Sequence, residues 1–256
     1  MMNLIEWLRE TYGAYELEPV AVYRKRGTHA WPLTAQSEQD LQQKLEAGGH
    51  FLALPKEPAA LANVLEVSLV DFLLDKINGL QDIAAQRGTE RGYPDIEITG
   101  DRFGGGHHAL DVKVARRAKG GKRTQSRITL YTGNTYFRYP EIQWPGTFRP
   151  FNDYTTHLDL IALYTLNEES LSRIEDLELI VQESWRIASK QRSSTTREYI
   201  GAVISIDALR AGKGEFDSQA EFYGYWRKFG FKIGKVVQQQ LDRLLAQKPE
   251  KDRAKI

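Results

Sequence analysis

The apolar period of this chain shifts from three or four residues to two near residue 93, and that shift constrains the fold more than any other feature. Upstream, Leu61, Val64, Leu65, Leu69, Phe72, Leu73 and Ile77 recur at helical intervals, which predicts a long, largely buried helix over residues 61–80. Downstream, Ile96 and Ile98 alternate with Glu97 and Thr99, glycines occupy 104–106, and Leu110, Val112 and Val114 alternate with Asp111 and Lys113. Alternation, a glycine turn and renewed alternation predict a β-hairpin. A buried helix followed at once by a hairpin with one apolar face points to the mixed α/β class, a mixed sheet flanked by helices.

Elsewhere the pattern predicts a short amphipathic helix over residues 2–12, a strand–turn–strand hairpin over 20–33, and a helix over 37–48 opened by Ser37 and closed by Gly48. Residues 154–165 read as a helix and 177–187 as a strand. Ser218 and Glu221 form a capping box that opens a helix through Trp226, with Phe222, Tyr225, Trp226 and Phe229 as its core stripe. The charged tail from residue 247 is expected to fray. No internal repeat is seen, and 256 residues fit one domain with lobes.

Composition removes several function classes. The absence of cysteine excludes a disulfide framework, a thiol nucleophile and a zinc-thiolate centre, and fits a reducing cytoplasm. No apolar run reaches the roughly 18 residues that span a bilayer, and the first ten residues carry acids, so neither a signal peptide nor a membrane span is expected. Thirty-five basic against 34 acidic residues announce no nucleic-acid binder by total charge, so what matters is where the charges lie.

Pro94 and Asp95 open the first strand of the hairpin, and Asp111 and Lys113 follow in the second, two residues apart and therefore on one face. The hairpin brings Asp95 alongside them. Two carboxylates and a lysine at a sheet edge suit phosphodiester hydrolysis with Mg²⁺, because hard oxygen ligands hold the ion. The ion polarises the phosphate and acidifies a bound water, and Lys113 orients that water or stabilises charge on the phosphorane. An isolated Asp-x-Lys is ordinarily a solvated ion pair worth under about 1 kcal/mol; the Pro-Asp partner at hairpin distance is what separates this one from that reading.

Pro-Asp, a spacer and Asp-x-Lys form the signature of the PD-(D/E)xK nuclease superfamily. Within it the chain resembles the EcoRV family of restriction endonucleases through residues 92–96 (GYPDI), 110–113 (LDVK), 150–157 (PFNDYTTH) and, most specifically, 212–227 (GKGEFDSQAEFYGYWR). Similarity is weakest before residue 60 and after residue 230. The resemblance implies a restriction-endonuclease-like fold in one domain over residues 1–256, with a dimerisation hairpin at about 15–35, a catalytic and DNA-binding core at about 60–230 and a frayed tail at 247–256. It further implies Mg²⁺ on Asp95, Asp111 and Glu66, the last an additional catalytic acid on the long helix, and a type II enzyme working as a homodimer on duplex DNA. A palindromic site, blunt ends with 5′-phosphates and a cognate DNA methyltransferase follow from the same resemblance.

Sequence reading by the protein falls to residues 189–199, whose flanks resemble the borders of the family's recognition loop. Its candidates are Arg192, Ser193, Ser194, Thr195, Thr196 and Arg197, since arginine can hold guanine O6 and N7 through two hydrogen bonds. Gln86, Arg87 and Arg91, in a loop before the hairpin, are second candidates. The basic run Arg116, Arg117, Lys119, Lys122, Arg123 and Arg127 is assigned to the DNA backbone. Plainer readings stay open: phosphate contacts for the loop arginines, a solvated loop for the basic run, and a surface glutamate for Glu66. His107 and His108 read as a turn exit and His157 as a packed helical histidine. A structure-specific repair or recombination nuclease of the same superfamily and a catalytically silent DNA-binding protein are the rival functions.

Overall fold

The computed structural model describes residues 2–17, 36–47, 58–89, 92–170 and 173–247. Its centre is a five-stranded mixed sheet built from β1 (Ala84–Arg87), β2 (Ile96–Thr99), β3 (His107–Arg116), β5 (Thr156–Leu166) and β6 (Ile174–Glu183), adjacent in that order. β1, β2 and β3 form an antiparallel meander, with Ile96 opposite Leu110. β3 and β5 run parallel, and β6 returns antiparallel to β5. A smaller antiparallel sheet has β8 (Tyr199–Ala202) between β4 (Thr129–Thr132) and β7 (Ala188–Arg192).

Alternation along the central strands builds two cores. One face carries Ile96, Ile98, Leu110, Val112, Leu158 and Leu160 against helices α1 (Leu4–Gly13) and α3 (Pro58–Ile77). Asn3 caps α1 by accepting from the Ile5 and Glu6 amides, as an N-cap asparagine should. The apolar stripe of α3 lies inward as its spacing predicts, with Leu61, Leu65, Leu69 and Leu73 essentially inaccessible. The other face carries Ala109, Ala115, Ile161 and Leu163 against the small sheet, α5 (Ile206–Ala211) and α6 (Gln219–Lys228). In α6 the capping box forms: the Ser218 hydroxyl accepts from the Glu221 amide at 3.1 Å, and the Glu221 carboxylate accepts from the Asp217 amide at 2.8 Å. Outside these layers are α2 (Glu38–Ala47) and α7 (Lys235–Ala246), and a single turn, α4 (Ser184–Ile187), links β6 to β7.

Several expectations change. The segment expected as a helix over 154–165 is instead strand β5, residues 156–166. The run Leu158, Leu160, Ile161, Ala162, Leu163 is buried on both faces because one core packs on each side of β5, and a doubly buried strand loses the alternation that identifies it. His157 is therefore a strand residue. The strand expected over 177–187 starts earlier, at Ile174, and its last residues belong to α4. Gln86 and Arg87 stand in edge strand β1 rather than a loop. In the α6 stripe, Phe222 and Trp226 are buried but Tyr225 is exposed, its hydroxyl donating to the Lys190 carbonyl at 3.2 Å. The hairpin expected over 20–33 and the tail from 248 lie outside the described residues. No helix among the described residues is long and apolar enough to cross a membrane.

If α3 is held to the sheet by its leucine stripe, Leu69→Ala should destabilise the protein by about 2–5 kcal/mol. The loss should appear as a lower urea midpoint with an unchanged slope; an unchanged midpoint would mean that the stripe does not anchor the helix.

Candidate metal centre and nucleic-acid interface

Asp95 lies one residue before β2, one step beyond the Ile96–Leu110 pair, and so faces Asp111 across the hairpin. Its Oδ2 accepts the Val112 amide at 2.6 Å, which fixes the carboxylate against β3. Two glycines allow this close approach. A Cβ on Gly88 would stand 1.9 Å from the Pro94 carbonyl oxygen, and one on Gly92 would stand 1.9 Å from that of Gly146. Gly88 also donates its amide to the Asp95 carbonyl at 2.7 Å. Side chains at these positions would push the Pro94–Asp95 backbone off the hairpin.

On β3, Asp111 and Lys113 point away from Leu110 and Val112, and Lys113 Nζ contacts the Asp111 carboxylate. Burial alone would lower the Lys113 pKa, but Asp111, Asp95 and Asp159 together hold it above the ordinary lysine value. For Asp95 the balance runs the other way. Burial first, then the adjacent Asp111 carboxylate, push it well above the usual carboxylate range despite Lys113. Glu66, half-buried on α3, feels the same centre: burial raises its pKa, Lys113 opposes the rise and Asp111 adds to it.

Three features escaped the sequence reading. Asp159 is 1% exposed, stands in register with Asp111 on the neighbouring strand, and has no hydrogen-bond partner at either oxygen. Burial, with Asp111 adding and Lys113 opposing, pushes its pKa up to about 7. Its signal was a lone acid interrupting the apolar run 158–164. Glu97, also buried, is held by the Arg149 guanidinium through two bonds of 2.7 and 2.8 Å, a long-range pairing with no local sequence mark. Beside these groups Tyr93 and Phe151 stack on His157, with His157 and Phe151 ring centroids 4.0 Å apart, and Tyr131 meets Phe151 edge-on. The Tyr93 hydroxyl bonds His157 Nδ1 at 2.7 Å, and burial lowers the His157 pKa to about 3. This histidine is neutral and satisfied. His108, also buried, is bonded to the Thr156 hydroxyl and the Gly105 carbonyl.

Among the described residues no three ligand-type side chains close into a metal cage. Asp95 and Asp111 nevertheless fit Mg²⁺, which keeps most of its waters and is ordinarily held by one or two carboxylates plus substrate phosphate oxygens. The raised Asp95 pKa records burial first and then the adjacent Asp111 charge, which Lys113 only partly offsets.

The candidate DNA-binding residues separate into engaged and free groups. Residues 193–198 form the tip between β7 and β8. Arg192 bonds the Glu198 carboxylate at 2.8 Å, whereas Arg197 is exposed beside Tyr199, donating to its hydroxyl at 3.1 Å. Ser194 folds the tip on itself by accepting the Thr196 and Arg197 amides; Ser193 bonds the Thr129 hydroxyl, and Thr195 is exposed. Gln86 is exposed on β1, Arg87 pairs with Asp71 of α3, and Arg91 lies outside the described residues. In the basic run, Arg117 is bonded to Glu178, and Arg127 to the Ala202 carbonyl and Gln191. Lys119, Lys122 and Arg123 face solvent, and Arg116 is half-buried at the end of β3.

A family model described as restriction endonuclease EcoRV matches residues 28–246. No curated protein sequence gives a significant match.

The charge crowding predicts how stability depends on pH. A carboxyl whose folded-state pKa is raised contributes stability that is complete below the ordinary aspartate value and lost as pH rises through the folded one. The contribution of Asp95 to the melting temperature of the metal-free protein should therefore decline as pH rises through neutral to alkaline values, and Asp95→Asn should make the parent's decline over that range less steep. Melting curves across the range test it, and an equally steep decline in the variant would show that Asp95 carries no such strain.

Proposed function

Because the chain belongs to the EcoRV restriction endonuclease family and is accordingly a DNA endonuclease, we propose that it is a type II enzyme that hydrolyses both strands of duplex DNA at a short palindromic site, using Mg²⁺ held by Asp95 and Asp111. The convergence of these two carboxylates with Lys113 at one point of the sheet carries the reading.

A bound Mg²⁺ supplies Lewis-acid polarisation of the scissile phosphate and a water of lowered pKa. The protein's own part is placement. Asp95, pinned by the Val112 amide, and Asp111 would hold the ion. Glu66 stands behind them as an additional acid. Lys113 is fully charged at neutral pH, since its pKa is raised. It stabilises the charge that develops on phosphorus oxygens as water attacks and the 3′-oxygen leaves, which produces a 5′-phosphate. The buried aromatic wall beside these groups limits water on the side away from the substrate.

The remainder of the reading draws on the family. Residues 1–256 would form one endonuclease domain, with a dimerisation segment at about 15–35. A homodimer whose twofold axis matches that of the DNA site would cut one strand per subunit, leaving blunt ends. Such an enzyme acts in the cytoplasm beside a methyltransferase that protects the same site. Recognition would come from the β7–β8 tip, residues 192–197, with Gln86, Arg87 and Arg91 as a second contact. Arg116, Arg117 and Lys119 are assigned to phosphates; the Glu178 partner makes Arg117 the weakest of these assignments. The exposure of Arg197 favours it over Arg192 as the reader of guanine.

Asp95→Ala and Asp111→Ala are each expected to abolish Mg²⁺-dependent cleavage of plasmid DNA, because no neighbouring group replaces a lost ligand. Lys113→Ala should lower the single-turnover rate by roughly 10²-fold or more while leaving binding in Ca²⁺ largely intact, since its contact strengthens in the transition state. Near-parental cleavage by either aspartate variant would show that the metal lies elsewhere. Discrete bands, with blunt 5′-phosphorylated ends on sequencing, are expected from the parent, whereas cleavage governed by DNA structure would overturn the type II reading.

For recognition, Arg197→Ala should cost about 1–3 kcal/mol at one base position and relax discrimination there. Binding to the cognate site and its single-base variants gives the answer. A loss shared equally by all sequences would mean that Arg197 contacts phosphate.

A further inference from the structure

Asp159 is the one acid beside the proposed metal site that the mechanism above leaves without a task. It stands on β5 directly across from Asp111 on β3, on the same face as Asp111 and Lys113, and is 1% exposed. Neither carboxylate oxygen has a hydrogen-bond partner. An unpaired buried carboxylate is among the most unfavourable groups a core can hold. Of its polar neighbours, the Tyr131 hydroxyl is likewise buried without a hydrogen-bond partner, and Gln182 and Ser184 are engaged elsewhere. Gln182, across from it on β6, donates to the Leu209 and Arg210 carbonyls and accepts from Arg9. The Ser184 hydroxyl donates to the His157 carbonyl at 3.3 Å. The cation whose field reaches Asp159 is Lys113.

Lys113 is in contact with Asp111, and its ammonium occupies a carboxylate that a hard divalent ion also needs. Once an ion takes Asp111, the ammonium loses its partner and is repelled by the new charge. Its side chain, 22% exposed, has a way out to solvent, where it would be lost to the chemistry. Adjacent strands lie about 4.8 Å apart, so the Asp159 carboxylate is within the swing of a flexible four-carbon side chain. The charge balance also favours an added cation: Asp95, Asp111, Asp159 and Glu66 face the single ammonium of Lys113, a deficit that a divalent ion reduces. We propose that Asp159 is a positioning residue for Lys113, receiving its ammonium when a divalent ion displaces it from Asp111 and so keeping it beside the scissile phosphate. This rests on the assignment of the metal to Asp95 and Asp111.

The test is Mn²⁺ binding to the full chain without DNA, read from the free-ion electron spin resonance signal, for the parent, Asp159→Asn, Lys113→Ala and the double variant. Without Asp159 the ammonium stays on Asp111 and competes with the ion, so Asp159→Asn should weaken Mn²⁺ binding by about tenfold. Lys113→Ala removes the competitor, and adding Asp159→Asn to it should change the affinity by less than about twofold. An equal weakening in both backgrounds would make Asp159 a direct ligand or a structural group and overturn the proposal. So would an unchanged Mn²⁺ affinity in Asp159→Asn. Melting curves give the control: a neutral isostere in place of an unpaired buried carboxylate should not lower the melting temperature, and an unfolded Asp159→Asn would show the carboxylate to be structural, sinking the idea. A parent that binds no Mn²⁺ would instead refute the metal site at Asp95 and Asp111, and this inference with it.

Discussion

The parallel pairing of β3 with β5 is the constraint on which the rest of the molecule depends. It sets Asp111 beside Asp159 and Lys113 beside Ile161, and it places β5 inside the sheet, where a core covers each of its faces. Parallel neighbours cannot be joined by a tight turn, and here residues 117–155 make the crossover. That excursion carries β4, the aromatic residues Tyr131, Phe137 and Phe151, and Arg149. That one connection thus supplies part of the second core and of the wall beside the acids, and residues 187–231 complete the core. The leucines of α3 cover the opposite face and hold the hairpin flat against the helix.

Against this well-packed frame the acidic centre is a local conflict. Asp95, Asp111, Asp159 and Glu66 share one ammonium, and burial pushes Asp95, Asp159 and Glu66 toward their neutral forms. Such an arrangement lowers the stability of the folded chain, which sites for chemistry commonly do while the surrounding structure compensates. Compensation is visible nearby. Glu97, only two residues from Asp95, has its full bidentate arginine, and Glu178, bonded by Arg210 and Arg117, is held down to about 2. The fold supplies cations to acids where they serve structure and withholds them at one point on the sheet, where a divalent ion would reduce the excess negative charge.

The same accounting changes how the basic residues are understood. Six bases in twelve residues after Lys113 look like a single DNA-facing patch in one dimension. In three dimensions Arg117 and Arg127 tie the loop to β6 and the small sheet, and the exposed charge reduces to Lys119, Lys122 and Arg123. At the β7–β8 tip Glu198 divides the two arginines in a similar way, with Arg192 held and Arg197 exposed. Charge density along a chain measures attraction to phosphate poorly when part of it is neutralised by acids distant in sequence.

What the sequence determined by itself was local. The period of α3, the alternation of the β2–β3 hairpin and the capping box of α6 each follow from spacings under about ten residues, where side-chain direction is set by the backbone's own repeat. The convergence of Asp95 with Asp111 and Lys113 was legible for that reason, since a hairpin joins residues that are near in sequence. The tertiary structure alone decided that residues 156–166 are a strand, because an apolar run buried on both faces has no period to distinguish it from a buried helix. It alone brought Asp159 to Asp111, Arg149 to Glu97 and Glu178 to Arg117. Those pairings depend on strand order and on a long crossover, and no local pattern encodes which distant strand will lie alongside.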